Sequence, residues 1–312
     1  MGSASAFFQE MLVLYGIALL GFVVRKIGVL KENANDVLTQ LILYITLPAL
    51  ILFSLDISFS SAMVKEFIWL VSMSVYVLIA SIFLAIWMKR GSQLPKKQKS
   101  VYEGLIIFGN QGFIGYAVSF ILLGEQGIVY LTMFNLCYLI LIWTYGIYLF
   151  SRDMDTINWK IILLNPGILS TLTGLVIFLL PISLPDMISE GLESIGKMTI
   201  PLSMMLIGCL IADVKYKDLF LLFKNTYLWK LAIVRLILIP LLFLPFVALP
   251  VSFPILVIAV IVSGMPSAPT ISLYSQKYGA DTLFASLGVL LTTLLCIFTI
   301  PFLYFVVNLL MN

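Results

Sequence analysis

Two short clusters of polar and helix-breaking residues interrupt apolar runs, and they are the parts of this sequence best suited to bind a ligand. The first cluster places the carboxamides Asn110 and Gln111 among glycines, and the second places hydroxyl side chains beside two prolines. Each glycine weakens a helix by about 1 kcal/mol relative to alanine, and each proline removes a backbone donor. We therefore predict that both helices are interrupted here. The candidate substrate-binding residues are Asn110, Gln111, Gly112, Gly115, Pro266, Ser267, Pro269 and Thr270.

An interrupted helix offers the charge of its own backbone to a ligand. The half that begins at the break carries N–H groups without partners, which attract an anion, and the half that ends there carries C=O groups, which attract a cation. The amide of Asn110 can donate to a carboxylate, so Asn110 is the first candidate for an anion contact. Gln111 points about 100° away on a helix and is the second candidate. For Ser267 and Thr270, contact with a ligand or water and hydrogen bonding to the preceding turn both stay open.

Three residues elsewhere in apolar runs are weighed separately. Arg235 is a charge inside such a run, which makes it a candidate charge partner for an anion. Its alternative is to extend its side chain to the cytoplasmic membrane surface. Pro48 and Pro201 are interpreted as kinks in scaffold helices rather than as ligand contacts.

Several kinds of chemistry lack their residues in this sequence. There is no histidine, and neither 104–124 nor 254–280 contains an Asp or Glu. The cysteines Cys137, Cys209 and Cys296 lie far apart in apolar runs and are interpreted as core residues. We therefore predict no metal site, no cofactor and no enzymatic activity. An acid relay is disfavoured, whereas a membrane potential acting on a bound anion, or a cation held by carbonyls and hydroxyls, stays open, with Na⁺ and H⁺ as the candidate ions.

The elements that must position these residues are membrane helices. The chain has 312 residues, of which 62% are hydrophobic and only 11% charged, whereas soluble domains carry about 25% charged residues. Because lipid offers no partner for backbone N–H and C=O groups, the spanning segments are predicted to be helices. The ten apolar stretches are 7–24, 37–55, 67–88, 101–123, 128–150, 161–181, 192–212, 226–248, 254–276 and 283–307.

The basic residues between these stretches are unevenly distributed. Most of the 18 Lys and Arg residues follow stretches one, three, five, seven and nine. Because such residues stay in the cytoplasm, both termini are predicted to be extracellular. The first stretch has no Lys or Arg before it and is too long for a cleavable signal peptide. The net charge of +3 gives no indication of nucleic acid, and no such partner is predicted.

The two halves of the chain share weak internal similarity. Thr46-Leu47-Pro48 recurs 153 residues later as Thr199-Ile200-Pro201, and a pair of glycines 15 residues apart recurs with an offset of 155. Coincidence is the alternative in a chain with 20 Gly and 13 Pro. A true offset of half the chain puts five spans in each half, so the second half must enter the membrane from the opposite face. The predicted repeats are 1–156 and 157–312.

Four groups of residues together resemble a known family. They are Asn110-x-Gly-Phe-Ile-Gly-Tyr116, Met265-Pro266 with Gln276-Lys277-Tyr278-Gly279, Leu47-Pro48-Ala49, and Arg235-Leu-Ile-Leu-Ile-Pro240. They resemble the auxin efflux carrier family, which includes the plant PIN-formed carriers and bacterial permeases. The resemblance implies an all-α polytopic membrane protein with ten transmembrane helices in two inverted five-helix repeats, whose broken helices 4 and 9 cross at mid-membrane. It also implies scaffold helices 1, 2, 6 and 7, transport-domain helices 3–5 and 8–10, and a homodimer.

The same resemblance implies a secondary transporter that moves organic anions across the cytoplasmic membrane by alternating access. Its substrates would be small mono- or dicarboxylates or auxin-like acids. Many relatives have a proline where this chain has Ala117, so the first break is expected to rest on Gly112 and Gly115 alone. The short loop after the fifth stretch is typical of bacterial members and weakens the case for auxin. The alternatives are a sodium-coupled carboxylate symporter and a membrane receptor or sensor that does not transport its ligand.

Overall fold

A computed structural model describes residues 4–31, 33–56, 61–151, 164, 166–180, 183–214 and 216–311. Within these ranges all regular secondary structure is helical, and no strand is present. The α-helices, in chain order, are α1 (Ala4–Lys26), α2 (Ala34–Leu41), α3 (Leu47–Leu55), α4 (Ser61–Arg90), α5 (Lys96–Ile107), α6 (Tyr116–Leu123), α7 (Glu125–Ser151), α8 (Pro166–Leu179), α9 (Asp186–Lys197), α10 (Thr199–Ala212), α11 (Tyr216–Lys224), α12 (Thr226–Ile233), α13 (Ile239–Leu241), α14 (Phe253–Ser263), α15 (Thr270–Lys277) and α16 (Thr282–Met311).

Many of these helices are long and apolar enough to cross a membrane. Six helical stretches in the described part of the chain meet that requirement by length and composition: Ala34–Leu55, Met63–Arg90, Glu125–Ser151, Asp186–Ala212, Thr226–Ala248 and Thr282–Met311. Three shorter apolar helices are Gln111–Leu123, Pro166–Leu179 and Phe253–Ser263. The chain is therefore an integral membrane protein whose regular secondary structure, over the described ranges, is entirely helical, as its composition predicts. The arrangement of ten helices in two inverted repeats stays a prediction.

Two prolines follow widened helical turns. The π-helix Ile42–Thr46 directly precedes α3, where Pro48 lies in the first turn, and the π-helix Val234–Leu238 directly precedes α13, which contains Pro240. A proline has no N–H for the carbonyl four residues earlier, so a wider turn can accommodate it there. Pro201 lies instead in the first turn of α10, three residues after the turn at Met198 that separates α9 from α10. A proline in a first turn costs no helical hydrogen bond.

The chain divides into two compact units, each built from segments of both chain halves. The first unit contains Met1–Phe67, Gly112–Met133 and Lys160–Val214. Inside it α1 packs against α10, and the two backbones approach closely at two glycines. A Cβ on Gly208 would meet the carbonyl of Ala18, and one on Gly21 would meet the carbonyl of Met205. Such close approach through small residues is typical of membrane helix pairs.

The second unit contains Ile68–Gln111, Phe134–Trp159 and Lys215–Asn312. Its core is built around α14, which is buried from Ile255 to its last residue, Ser263. The long helix α16 packs against α5, α12, α14 and α15. An apolar helix buried on every face is stabilised by packing on all sides.

Two expectations from the sequence concern segments that connect the predicted spans. The segment Tyr216–Lys224 lies between two predicted spans and was expected to be a loop, but it forms the helix α11. Its apolar run, 219–223, is only five residues long, which is too short to mark a spanning helix. The predicted repeat boundary between residues 156 and 157 lies outside the described residues.

Candidate functional site

Both predicted interruptions are present, and each separates two short helices. The first helix, α5, ends at Ile107, and Phe108 then adopts an extended conformation with φ −98° and ψ 114°. The π-helix Gln111–Gly115 and α6 follow. The second helix, α14, ends at Ser263, and α15 begins at Thr270. We call the irregular residues 108–110 and 264–269 the junction.

The two irregular segments of the junction hydrogen bond to each other through their backbones. Gly109 and Ser267 form an antiparallel bridge. The N–H of Asn110 donates to the carbonyl of Pro266 at 2.6 Å, and the N–H of Ala268 donates to the carbonyl of Phe108 at 2.9 Å. Unpaired backbone groups are costly inside a membrane protein, so this mutual pairing explains how two interrupted helices are tolerated side by side.

Side chains from neighbouring helices fix the same segments. The hydroxyl of Ser267 donates to the carbonyl of Leu105 at 2.8 Å, and the N–H of Ser267 donates to Thr292 Oγ1 at 3.0 Å. Tyr138, on α7, donates from its hydroxyl to the carbonyl of Gly109 at 2.5 Å. Ser267 therefore does not hydrogen bond to its own preceding turn. It links the second break to α5, the helix that ends at the first break.

Arg235 is buried at the junction with 2% of its surface exposed, so it does not extend to the membrane surface. Its Nε donates to the carbonyl of Met265 at 2.9 Å, and its Nη1 donates to the carbonyls of Ile106 and Ile107 at 3.2 Å each. Ile106 and Ile107 lie in the last turn of α5, where helical carbonyls lose their partners, and Met265 lies two residues after the end of α14. The guanidinium group thus satisfies two terminal carbonyls of α5 and one carbonyl of the segment that follows α14.

The other predicted site residues fall into three groups. Asn110 and Gln111 are buried, with 2% and 3% exposed, and Gln111 Oε1 has no hydrogen-bond partner among the described residues. Pro266 is buried, while Pro269 and Thr270 are half-buried at the start of α15. Gly112 and Gly115 belong to the first unit.

The first break lies earlier in the chain than the sequence predicts. It was expected to rest on Gly112 and Gly115, with Ala117 making it softer. Both glycines instead belong to the π-helix, and Ala117 is fully buried within α6. The break occurs at Phe108–Asn110 because this segment exchanges its helical hydrogen bonds for the bridge to the second break.

A buried carboxylate escaped the sequence analysis. Glu103 is 1% exposed and lies one helical turn before the end of α5. It forms an ion pair with Lys89, whose side chain is 23% exposed, and accepts a hydrogen bond from the Tyr145 hydroxyl at 2.6 Å. The acid-free segment 104–124 therefore directly follows a buried acid, Glu103, whose charge is balanced by Lys89.

Lys89→Met is expected to lower the free energy of unfolding by about 3 kcal/mol, because it leaves the buried carboxylate of Glu103 without its cation. Thermal denaturation of the purified protein in detergent measures the loss. The neighbouring Arg90 is exposed at the end of the same helix, so Arg90→Met is the matched control and is expected to change the melting temperature little. Equal losses in both variants would contradict a stabilising role for the pair.

Asn135 is a second polar residue that the sequence analysis did not select. It lies on α7 with 2% of its surface exposed, and its Oδ1 has no hydrogen-bond partner within the described ranges. Asn135 precedes Tyr138 by three residues, so the two side chains share a face of α7. Because Tyr138 contacts Gly109, this face is the one that meets the junction.

A cleft of about 440 Å³ lies elsewhere in the second unit and contains no junction residue. Its walls include Lys224, Asn225 and Tyr227 at the turn between α11 and α12, and Phe284 on α16. Gln98 Nε2 donates to Asp281 Oδ2 at 2.8 Å across it. The interrupted helices and this cleft are therefore separate features.

The fold and the junction together define an integral membrane protein with paired interrupted helices, an arrangement typical of membrane transporters. The chain belongs to the membrane transport protein family, the family of the auxin efflux carriers, which matches residues 6–157 and 150–304. The resemblance stated from its motifs is thereby confirmed. The chain is also 25% identical over 207 residues to an uncharacterized transporter of Methanocaldococcus jannaschii. That alignment covers 63% of this chain and 66% of the relative, just under two thirds of its length.

Proposed function

We propose that this protein is a secondary transporter that moves small organic anions, mono- or dicarboxylates, across the cytoplasmic membrane by alternating access. Membership of the family supports the transporter class. The charge of the junction supports an anionic substrate. The proposal retains the ten-helix inverted repeat, the homodimer, the bacterial origin and the extracellular termini as predictions.

The balance of charge at the junction is the observation that carries the anion assignment. Arg235 already donates to the carbonyls of Ile106 and Ile107 at the end of α5 and to that of Met265 just after α14, so these oxygens attract an added cation less. No Asp or Glu lies in 104–124 or 254–280, and Glu103 is neutralised by Lys89. The N-terminal end of α15 adds a partial positive charge. What remains for a ligand is a positive environment in a low-dielectric surrounding, where a carboxylate is favoured.

Asn110 is the proposed substrate contact within this environment. Its backbone is fixed by the hydrogen bond to Pro266, so its side chain starts from a rigid position. The carboxamide can donate to a carboxylate oxygen, while Gln111 and Asn135 supply two further buried carboxamides. Carboxamides recognise a carboxylate without adding a charge of their own.

Asn110→Ala is expected to abolish the thermal stabilisation that a carboxylate substrate gives the purified protein. A ligand at about 100 times its dissociation constant stabilises the folded state by about 2.7 kcal/mol, which a thermal-shift assay detects. The test screens malate, malonate, succinate, lactate and indole-acetate against the wild type. The acid with the largest shift is then tested on the variant, where no shift is expected.

The matched control is Asn35→Ala, which removes a carboxamide that is bonded to Asp213 in the first unit. It is expected to keep the full ligand shift. A full shift in Asn110→Ala would remove Asn110 from the site, and no shift with any acid in the wild type would contradict an organic-anion substrate. Uptake of the same acid into proteoliposomes distinguishes a transporter from a receptor or sensor, which would show the shift and no uptake.

A further inference from the structure

The carbonyl oxygens around Arg235 form a set that would suit a metal cation. Met265, Ile106 and Ile107 present three backbone oxygens, at the C-terminal end of α5 and just after that of α14. Hard cations such as Na⁺ take oxygen ligands, and unwound carbonyls with half-helix C-termini hold coupling cations in several transporter folds. In this chain a guanidinium group, attached to the π-helix Val234–Leu238, already donates to all three oxygens.

We propose that Arg235 is the resident cation of the junction. Its guanidinium group takes the place that a mobile Na⁺ would otherwise fill, and it holds the ends of α5 and α14 together while the substrate anion is bound and released. Transport of the anion therefore requires no Na⁺ at this position. This proposal rests on the proposed function for its consequence in transport, but its structural part stands on the hydrogen bonds of Arg235 alone.

Two details of the geometry support a fixed rather than an exchangeable cation. Arginine keeps its charge in proteins and presents its donors in a rigid planar fork, which suits several carbonyls at once. The space for the fork is made by Gly109, because a Cβ at that position would overlap Arg235 Nη2 and would lie 2.8 Å from Cζ. The sequence therefore supplies both the cation, Arg235, and the space beside Gly109 that accommodates its guanidinium group.

Arg235 acts in this proposal as a positioning residue and does not contact the substrate. Nε and Nη1 face the three carbonyls, and Nη2 lies beside the backbone of Gly109 with no hydrogen-bond partner in the described part of the chain. Loss of Arg235 should therefore alter the turnover of the carrier through the geometry of the junction. A substitution that keeps the positive charge, such as Arg235→Lys, should leave the concentration of substrate needed for half-maximal uptake nearly unchanged.

The test compares the wild type with Arg235→Ala in choline chloride, in sodium chloride and in 50 mM guanidinium chloride. In the wild type, uptake of labelled malate into proteoliposomes is expected to agree within twofold in sodium and in choline. In Arg235→Ala uptake is expected to fall at least tenfold in choline and to recover to at least half of the wild-type rate with guanidinium. The melting temperature of purified Arg235→Ala is expected to rise by several degrees with guanidinium.

The matched control is Lys230→Ala, because Lys230 is an exposed basic residue one and a half helical turns earlier in the same span. Its uptake and melting temperature are expected to be insensitive to guanidinium. Where Arg235→Ala does not fold, Arg235→Lys retains a cation and is expected to lower the maximal rate of malate uptake with less than a twofold change in KM.

Three results would overturn the proposal. They are a tenfold loss of wild-type uptake when choline replaces sodium, a folded Arg235→Ala whose melting temperature and uptake do not respond to guanidinium, and an Arg235→Lys variant whose KM rises tenfold at an unchanged maximal rate. Absence of malate uptake in the wild type, together with no thermal shift by any acid, would contradict the proposed function instead. In that case the response of the Arg235→Ala melting temperature to guanidinium still decides whether the junction holds a resident cation.

Discussion

Gly109→Ala is expected to destabilise the protein by about 3–5 kcal/mol and to abolish transport. The added Cβ would overlap the Nη2 atom of Arg235, a buried side chain whose Nε and Nη1 donate to three carbonyls. The side chain cannot swing away without leaving its charge and those carbonyls unpaired inside the protein, and such a loss costs far more than the contact itself. The thermal denaturation midpoint in detergent and uptake into proteoliposomes measure the two effects.

The control for Gly109→Ala lies three residues away in the same interrupted span. A Cβ on Gly112 would meet no atom within 4 Å, so Gly112→Ala is expected to keep the wild-type melting temperature. The comparison separates the loss of space beside Arg235 from the general effect of alanine in a glycine-rich segment. Similar destabilisation by both substitutions would contradict the arrangement of Gly109 and Arg235.

The interruptions themselves could be predicted from the sequence because their causes are local. Pro266 and Pro269 cannot donate helical hydrogen bonds, and no neighbouring residue changes that fact. The carboxamides Asn110 and Gln111 are a second local signal, because polar side chains inside an apolar run indicate a functional position. Residue types with such properties mark the candidate site before any contact is known.

The exact break and its supporting residues depend on contacts between distant segments, so the sequence alone could not locate them. Residues 108–110 leave the helix because the segment around Ser267 pairs with them, not because glycine is frequent near position 112. Nothing in the sequence distinguishes Thr292 from other hydroxyl residues in apolar helices; its role depends on the hydrogen bond that it accepts from the N–H of Ser267.

Charged residues illustrate the same limit. The sequence identifies Arg235 as a charge inside an apolar run. It is equally compatible with a side chain that extends to the membrane surface and with one that is buried at the junction, as Arg235 is. Glu103 stands near the basic residues at the start of α5, where an acid is expected to be solvated. Its burial depends on Lys89 and Tyr145, which come from two other helices.

Gly208→Ala is expected to destabilise the first unit by about 3 kcal/mol, at the upper end of the usual cost of overpacking. The new Cβ would overlap the carbonyl oxygen of Ala18 and would lie 2.6 Å from the backbone nitrogen of Phe22. These are backbone atoms of α1, so no rotation of a side chain can relieve the contact and the two helices must separate. Gly21→Ala is expected to act in the same direction, because its Cβ would lie 2.8 Å from the Cα of Met205 on α10.

Gly16 provides the control for this pair of substitutions, since it lies on the exposed side of α1 and a Cβ there would meet nothing within 4 Å. Alanine favours a helix over glycine by about 1 kcal/mol, so Gly16→Ala is expected to leave the melting temperature unchanged or to raise it. Opposite signs for Gly16→Ala and Gly208→Ala on this pair of packed helices would show that the distance to the neighbouring backbone sets the effect. Equal losses in both variants would contradict that explanation. Because Asn110, the proposed substrate contact, belongs to the second unit, a Gly208→Ala protein that remains folded below its lowered melting temperature should still show a ligand-induced thermal shift.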